Sequence, residues 1–244
     1  MTSDFADIKF DFSGKTAIIT GGSKGIGKDV ADSLVESGAT VYNFSRSKPQ
    51  NKSVKHFPCD ISREDEVLGA IAKLDEVERI DFFIHVAGAN NCEPINNLSA
   101  EDWKNVLSIN LGSYFLFTRY ISERMKENNF GKIICVSSIA GRSKSVVSGV
   151  HYTASKAGLI GFTRQLSQEL APFNIKVNVV CPSQTMTDML RESMTKEQIS
   201  QLENKIPLGR IASPTEITQP ILFLCSSGAS YITGAAIDIN GGQL

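Results

Sequence analysis

No apolar run in these 244 residues approaches the roughly 18 to 20 that a membrane-spanning helix needs. The opening, MTSDFADIKF, is acidic and lacks the apolar core of a secretory leader, so a cytoplasmic location is the expectation. Cysteine is scarce and unpaired. Cys59, Cys92, Cys135, Cys181 and Cys225 are widely spread with no CxxC, which excludes a disulfide framework and reads as reduced, mostly core residues. His56, His85 and His151 show no ligand spacing with one another or with cysteine, so no metal is expected. Neither sign of charge dominates: 25 Lys and Arg against 26 Asp and Glu give a formal net charge of −1, which supplies no basic field for nucleic acid or an anionic membrane. No Pro/Gly linker, internal repeat or low-complexity stretch divides the chain, and one domain is expected.

What is present is a balance of 41% hydrophobic and 21% charged residues, enough to bury a sizeable core. From Lys15 onward, apolar runs of strand length (KTAIIT, ATVYNF, VKHFPC, IDFFIHVA, GKIICVSS, IKVNVVC, AAIDIN) alternate with longer segments of helical period. That pattern predicts an α/β class, a doubly wound parallel sheet. Ser62 with Asp65 and Ser99 with Asp102 predict capping boxes, and Ser37-Gly38 a helix stop. Residues 1–13 read as an N-terminal arm, 14–244 as a single catalytic domain, and 183–210, polar and containing methionine, as a mobile substrate-loop insertion.

Thr20-Gly21-Gly22-Ser23-Lys24-Gly25-Ile26-Gly27 lies between a strand and a helix, the context of a dinucleotide phosphate turn. Gly21 permits the tight exit, Gly25 the approach of backbone N–H groups to a pyrophosphate, and Gly27 the packing of helix on sheet. At the next strand end an NAD site usually carries an acidic residue for the ribose 2′-OH, whereas here the sequence is Asn43-Phe44-Ser45-Arg46. Arg46 can grip a 2′-phosphate, Ser45 can donate to it and Lys24 adds a second cation, so NADP(H) is the expected cofactor. The competing reading of Lys24 and Arg46 is two solvated surface cations.

The turn, together with Asn110 in SIN, Ser138 in VSSIAG and Tyr152-Thr153-Ala154-Ser155-Lys156, resembles the motif set of the short-chain dehydrogenase/reductase family, in that family's order and over the whole chain from Lys15. The resemblance implies a Rossmann fold and a catalytic set of Asn110, Ser138, Tyr152 and Lys156. It also implies cofactor contacts from Gly21, Ser23, Lys24, Gly25, Ile26 and Gly27 in the turn, from Ser45 and Arg46, and from Asp60-Ile61 beside adenine. Further contacts implied are Ala87-Gly88, Tyr152 and Lys156, and Pro182 through Thr187, including Thr185, by the carboxamide. For Asp60 a helix N-terminal carboxylate is the alternative.

The chemistry also follows from the residues. Tyr152 and Lys156 are four apart, on one helix face one turn from each other. A free phenol titrates near pH 10 and exchanges protons poorly at neutral pH, whereas a neighbouring ammonium favours the phenolate. Ser138 can donate to a substrate oxygen as charge grows on it. Transfer of a hydride between the cofactor and a carbonyl or alcohol, with Tyr152 moving the proton, is the expected reaction. The family's NNAG is here His85-Val86-Ala87-Gly88, and its Pro-Gly is Pro182-Ser183. His85 reads as a satisfied structural histidine. Arg142, Lys144 and His151 could bring charge to one wall of the pocket, with solvated loop charges the alternative; Met186, Met189, Leu190 and Met194 are candidates for a lid on the other.

Ile206-Pro207-Leu208-Gly209-Arg210 and ITGAAIDINGG resemble 3-oxoacyl-carrier-protein reductases in particular. A non-catalytic NADP(H)-binding regulatory protein is the alternative from another class. The partners expected are a small carbonyl or alcohol substrate and, by resemblance, further copies of the chain in a homotetramer, or a dimer. Apolar residues on helices 99–127 and 151–171 (Tyr114, Phe115, Phe117, Leu159, Ile160 and Phe162) are the candidates for that contact.

Overall fold

Alternating side chains on each strand build two apolar layers, one on each face of a sheet. In β1 (Thr16–Thr20), Ile18 joins one cluster while Ala17 and Ile19 join the other; in β4 (Phe82–His85), Phe83 joins the first, and Phe82 and Ile84 the second. The remaining strands are β2 (Thr40–Ser45), β3 (Lys55–Pro58), β5 (Gly131–Val136), β6 (Ile175–Pro182) and β7 (Ala236–Ile239). All seven pair in parallel in the order β3-β2-β1-β4-β5-β6-β7. Burial on both faces explains why the strands read as continuous apolar runs.

The computed structural model describes residues 8–145 and 147–244. Residues 1–7 of the expected arm and position 146 of the pocket wall lie outside it. The first apolar layer is completed by α2 (Glu64–Ala72), α4 (Ser113–Glu127) and α5 (Val150–Leu170), the second by α1 (Gly25–Glu36) and α8 (Pro214–Cys225). The expected doubly wound sheet is therefore present, as a single domain of Rossmann type.

Several boundaries differ from the reading of the sequence. The expected helix over 99–127 is three pieces: α3 (Ala100–Leu107), a π-turn (Ser108–Gly112) and α4. Its start is as expected, because Ser99 and Asp102 form a reciprocal capping box. Ser62 and Asp65 do not. Helix α2 begins at Glu64 after an uncapped Arg63, because Asp60 takes the Ser62 N–H and hydroxyl and Asp65 pairs with Arg63. The described part of the arm packs on the domain: Phe12 is buried edge-on against Phe82, with ring centroids 5.2 Å apart. Segment 183–210 has order of its own. It holds α6 (Asp188–Ser193) and α7 (Lys196–Glu203), and Leu202, Ile206 and Ile211 bury against Met186, Leu190, Met194 and Ile199. The methionines described there pack within the segment; the side chain of Met189 lies outside the description.

Candidate active site

The strand order reverses between β1 and β4, so the crevice beyond their carboxyl ends is where such a sheet binds ligands. Two backbones meet there. Val86 and Ala87 donate their N–H groups to the Thr20 carbonyl at 3.2 and 3.1 Å. A Cβ on Gly21, whose φ is +77°, would stand 2.9 Å from the Ala87 backbone, so both the torsion and the contact require glycine.

Helix α1 opens from this turn in a way that suits an anion. Lys24 at its N-cap makes no side-chain cap, and its first turn carries no acidic residue, so the N–H groups there have no carboxylate competing for them. Gly25 lies under Thr187, whose methyl would come within 3.1 Å of a Cβ there. Thr187 caps α6, so the insertion returns over the turn. Thr185 is buried and bridges to Ala212, and Ser183 pairs with Ile239, fixing the segment after Pro182. These residues fit a dinucleotide pyrophosphate at the α1 N-terminus.

The end of β2 carries cations but no carboxylate. Asn43 accepts from Gly22 N at 2.7 Å and donates to Ser45 Oγ at 2.7 Å; Ser45 donates onward to the Ser47 carbonyl at 2.7 Å. The Ser45 hydroxyl proton is therefore engaged within the strand end, while Arg46 and Lys24 are exposed and form no ion pair among the described residues. Asp60 lies before α2, where the Ser62 N–H holds its carboxyl below the usual range, with the Arg46 guanidinium a smaller cause. Ile61 packs on the core beside it.

The catalytic candidates meet around α5. Lys156 is almost wholly buried; its Nζ lies 5.5 Å from the centre of the Tyr152 ring and donates to the Val136 carbonyl at 2.9 Å. Gly88 faces the same ammonium. A Cβ there would stand 3.3 Å from Lys156 Nζ and 3.2 Å from Asn110 Oδ1. Asn110, in the π-turn, accepts from Ala89 N at 2.7 Å and donates to Ala89 O at 3.0 Å. Ser138 follows β5 and caps a 3-10 turn, Ile139–Gly141, accepting from Ala140 N at 3.1 Å. That turn is seated on α5, because Ser137 Oγ donates to the Lys156 carbonyl at 2.7 Å. Tyr152, Lys156, Asn110 and the Ala87–Ala89 strand end thus form one constellation, with the Ser138 turn packed against it.

Arg142 carries its charge into a two-pronged pair with Asp238, both bonds 3.0 Å. His151 is fully buried and lies against Gly149. Lys144 is exposed, as is Arg142. His85 is buried, with Nδ1 2.8 Å from Thr20 Oγ1 and its ring 5.1 Å from that of Tyr114. Burial, with the Lys156 charge as a lesser cause, drives its pKa down to about 3, so the ring is neutral at physiological pH. Among the candidate contact residues, Tyr114, Phe117, Leu159 and Ile160 belong to the core; Phe115 and Phe162 reach the surface.

The family model described as enoyl-(acyl carrier protein) reductase matches residues 21–243. The chain is 35% identical to the 3-oxoacyl-(acyl-carrier-protein) reductase of Aquifex aeolicus over 97% of its own length and 100% of the relative's. It is 34% identical to the acetoacetyl-CoA reductase of an Acinetobacter species, covering 93% and 97%. The chain belongs to the short-chain dehydrogenase/reductase family. Among solved members, the ligand-free aldohexose dehydrogenase of Thermoplasma acidophilum superposes with a TM-score of 0.89 at 27% identity, covering 95% of this chain and 94% of that one.

Within this short-chain oxidoreductase, some residues that shape the site were not singled out from the sequence. Asn43 and Ser137 each fix a neighbouring loop by one buried side-chain bond, and Thr20 fixes His85. Their partners lie 19 to 65 positions away, and no local pattern announces such a contact.

Proposed function

We propose that this protein is an NADP(H)-dependent reductase of a carbonyl group, or the dehydrogenase of the corresponding alcohol. When bound at the α1 N-terminus, NADPH would supply a hydride for the carbonyl carbon. Tyr152 gives its phenolic proton to the oxygen that receives the electron pair, and takes it back in the reverse direction. Ser138 donates to the same oxygen as charge develops, and Lys156 would hold the nicotinamide ribose. Asn110 orders the loop that carries Gly88. The observation that carries the reading is the Lys156 ammonium beside the Tyr152 ring at the sheet's switch point, next to an α1 N-terminus with no carboxylate on it.

NADP(H) over NAD(H) is supported by Arg46 and Lys24, exposed where no carboxylate accepts a ribose 2′-OH. A 3-oxoacyl thioester is the proposed substrate, because the curated relatives named above are keto-thioester reductases by name and match end to end. The family model's name speaks of a C=C reduction, but a phenol and a serine hydroxyl set to serve an oxygen suit a keto group better. Association with further copies, as a homotetramer or a dimer, is supported by a groove of about 610 Å³ between α4 and α5 lined in part by Leu111, Phe115, Gly158, Gly161 and Phe162.

The test is a panel of acetoacetyl thioesters, simple ketones and sugars, each followed by loss of NADPH or NADH absorbance. Oxidation of NADPH by a 3-oxoacyl thioester is the expected result. NADPH binding without oxidation by any carbonyl would move the protein to a regulatory, cofactor-binding role.

A further inference from the structure

Asn110 and Tyr152 are joined by a residue that neither motif employs. Besides its two bonds to Ala89, Asn110 Nδ2 donates to Ser155 Oγ at 2.9 Å, and Ser155 Oγ donates to the Tyr152 carbonyl at 2.7 Å. Asn110 and Ser155 are both buried, so water offers no substitute for these bonds. The hydroxyl works in both directions: its oxygen holds Asn110 and its proton holds the turn of Tyr152.

The backbone around Asn110 shows what this link restrains. Ser108–Gly112 is a π-turn inside an otherwise α-helical run, a rare geometry that recurs at functional sites. It is tied down by the Asn110 carboxamide and by Ser113 Oγ, which donates to the Ile109 carbonyl at 2.6 Å. Ser155 is the tie that reaches another element. On α5, Tyr152, Ser155 and Lys156 stand at i, i+3 and i+4, sharing one face.

We propose that Ser155 is a positioning residue for the reaction: its hydroxyl fastens the π-turn carrying Asn110 to the first turn of α5, and so sets Tyr152 and Lys156 in register with the Ala87–Ala89 strand end. This rests on the reading of Tyr152 as the proton donor. Ser155 touches neither substrate nor cofactor in this role. Helix α5 itself does not depend on the bond, because Leu159, Leu170 and their neighbours hold it on the sheet.

The test compares wild type, Ser155→Ala, Ser155→Thr, Asn110→Ala and the double variant S155A/N110A, with two readouts. In steady-state kinetics, S155A lowers kcat about 10-fold while the NADPH dissociation constant and the substrate KM stay within about 2-fold, the effect of one buried hydrogen bond felt in the transition state. S155T restores most of kcat, and the double variant falls no further than N110A alone, because both cut one link. In amide hydrogen exchange, S155A speeds residues 108–112 about 10-fold and leaves the rest of α5 protected. Should S155A not fold, Ser155→Cys replaces it, with about a 3-fold loss of kcat, since a thiol is a weaker donor and acceptor. Wild-type kcat with unchanged exchange at 108–112 overturns the proposal, as does a double variant whose losses multiply. Exchange is read without turnover, so a wild type that reduces nothing refutes the reductase reading while the exchange data still decide the link.

Discussion

Removing Arg46 separates the two nicotinamide cofactors. The Ser45 hydroxyl donates to Ser47, and Asn43 is turned inward to Gly22, so the recognition of a 2′-phosphate falls on the exposed Arg46 and Lys24. A charge-assisted hydrogen bond contributes about 1.5 to 3 kcal/mol, and an exposed guanidinium belongs at the low end of that range. Taking about 1.5 kcal/mol, Arg46→Ala weakens NADPH roughly 10-fold. NADH has no group for Arg46 to hold, so its affinity stays within about 2-fold of wild type. The assay is titration of protein fluorescence with each cofactor at low and high salt. Raising the salt from about 0.01 to about 1 M shortens the screening length from about 30 to about 3 Å and should erase most of the wild-type preference for NADPH. Equal losses for both cofactors, or no loss for NADPH, would refute the assignment of Arg46.

Gly27→Ala places a methyl on the Gly21 carbonyl, backbone against backbone, with no flexible side chain to give way. It should cost about 1 to 3 kcal/mol of stability and impair NADPH binding, both read from thermal melts with and without cofactor. Glu216 is held at a pKa of about 2, chiefly by its hydrogen bonds from Arg210, which also make a two-pronged pair of 2.7 and 2.5 Å. A depressed carboxylate contributes stability above its unfolded value and loses it as pH falls through its folded one. Glu216→Gln should therefore lower the melting temperature at pH 7 and converge on wild type toward pH 2. His85, neutral down to about pH 3 in the fold, makes the protein lose stability as pH falls from its unfolded value near 6.5, because the unfolded state takes up the proton first. His85→Asn should flatten that acid limb, and a limb of unchanged slope would exclude His85 as its source. Asp238→Asn frees Arg142 and should cost about 0.5 to 1 kcal/mol in chemical denaturation, less at high salt.

The features legible in the sequence are those that depend on short spacing. The glycine turn, the Ser99 cap and the strand runs each follow from neighbours a few positions apart, and the structure places them as read. Tyr152 and Lys156 share a face because a helix turns once in about four residues. What was not legible depends on long-range packing. The π-turn carries the Asn110 that bonds Ala89 and Ser155 on distant segments, and an apolar periodicity over 99–127 carries no mark of it. Arg142 read as a loop charge until β7 brought Asp238 beside it, 96 positions away. Four of the six apolar residues read as a contact surface belong to the core, since on a helix beneath a sheet an apolar side chain says nothing about which neighbour it meets. Segment 183–210 looked open because its core residues are spread thinly over a polar stretch.

In the proposed reaction the Tyr152 phenol moves the proton. Tyr152→Phe keeps the ring beside Lys156 and removes only the hydroxyl. NADPH oxidation with the best carbonyl of the panel, measured beside NADPH binding, should show turnover lost by more than about 1,000-fold with the cofactor dissociation constant little changed, the signature of a group that acts in the transition state alone. A phenylalanine variant that turns over close to the wild-type rate would show that another group moves the proton.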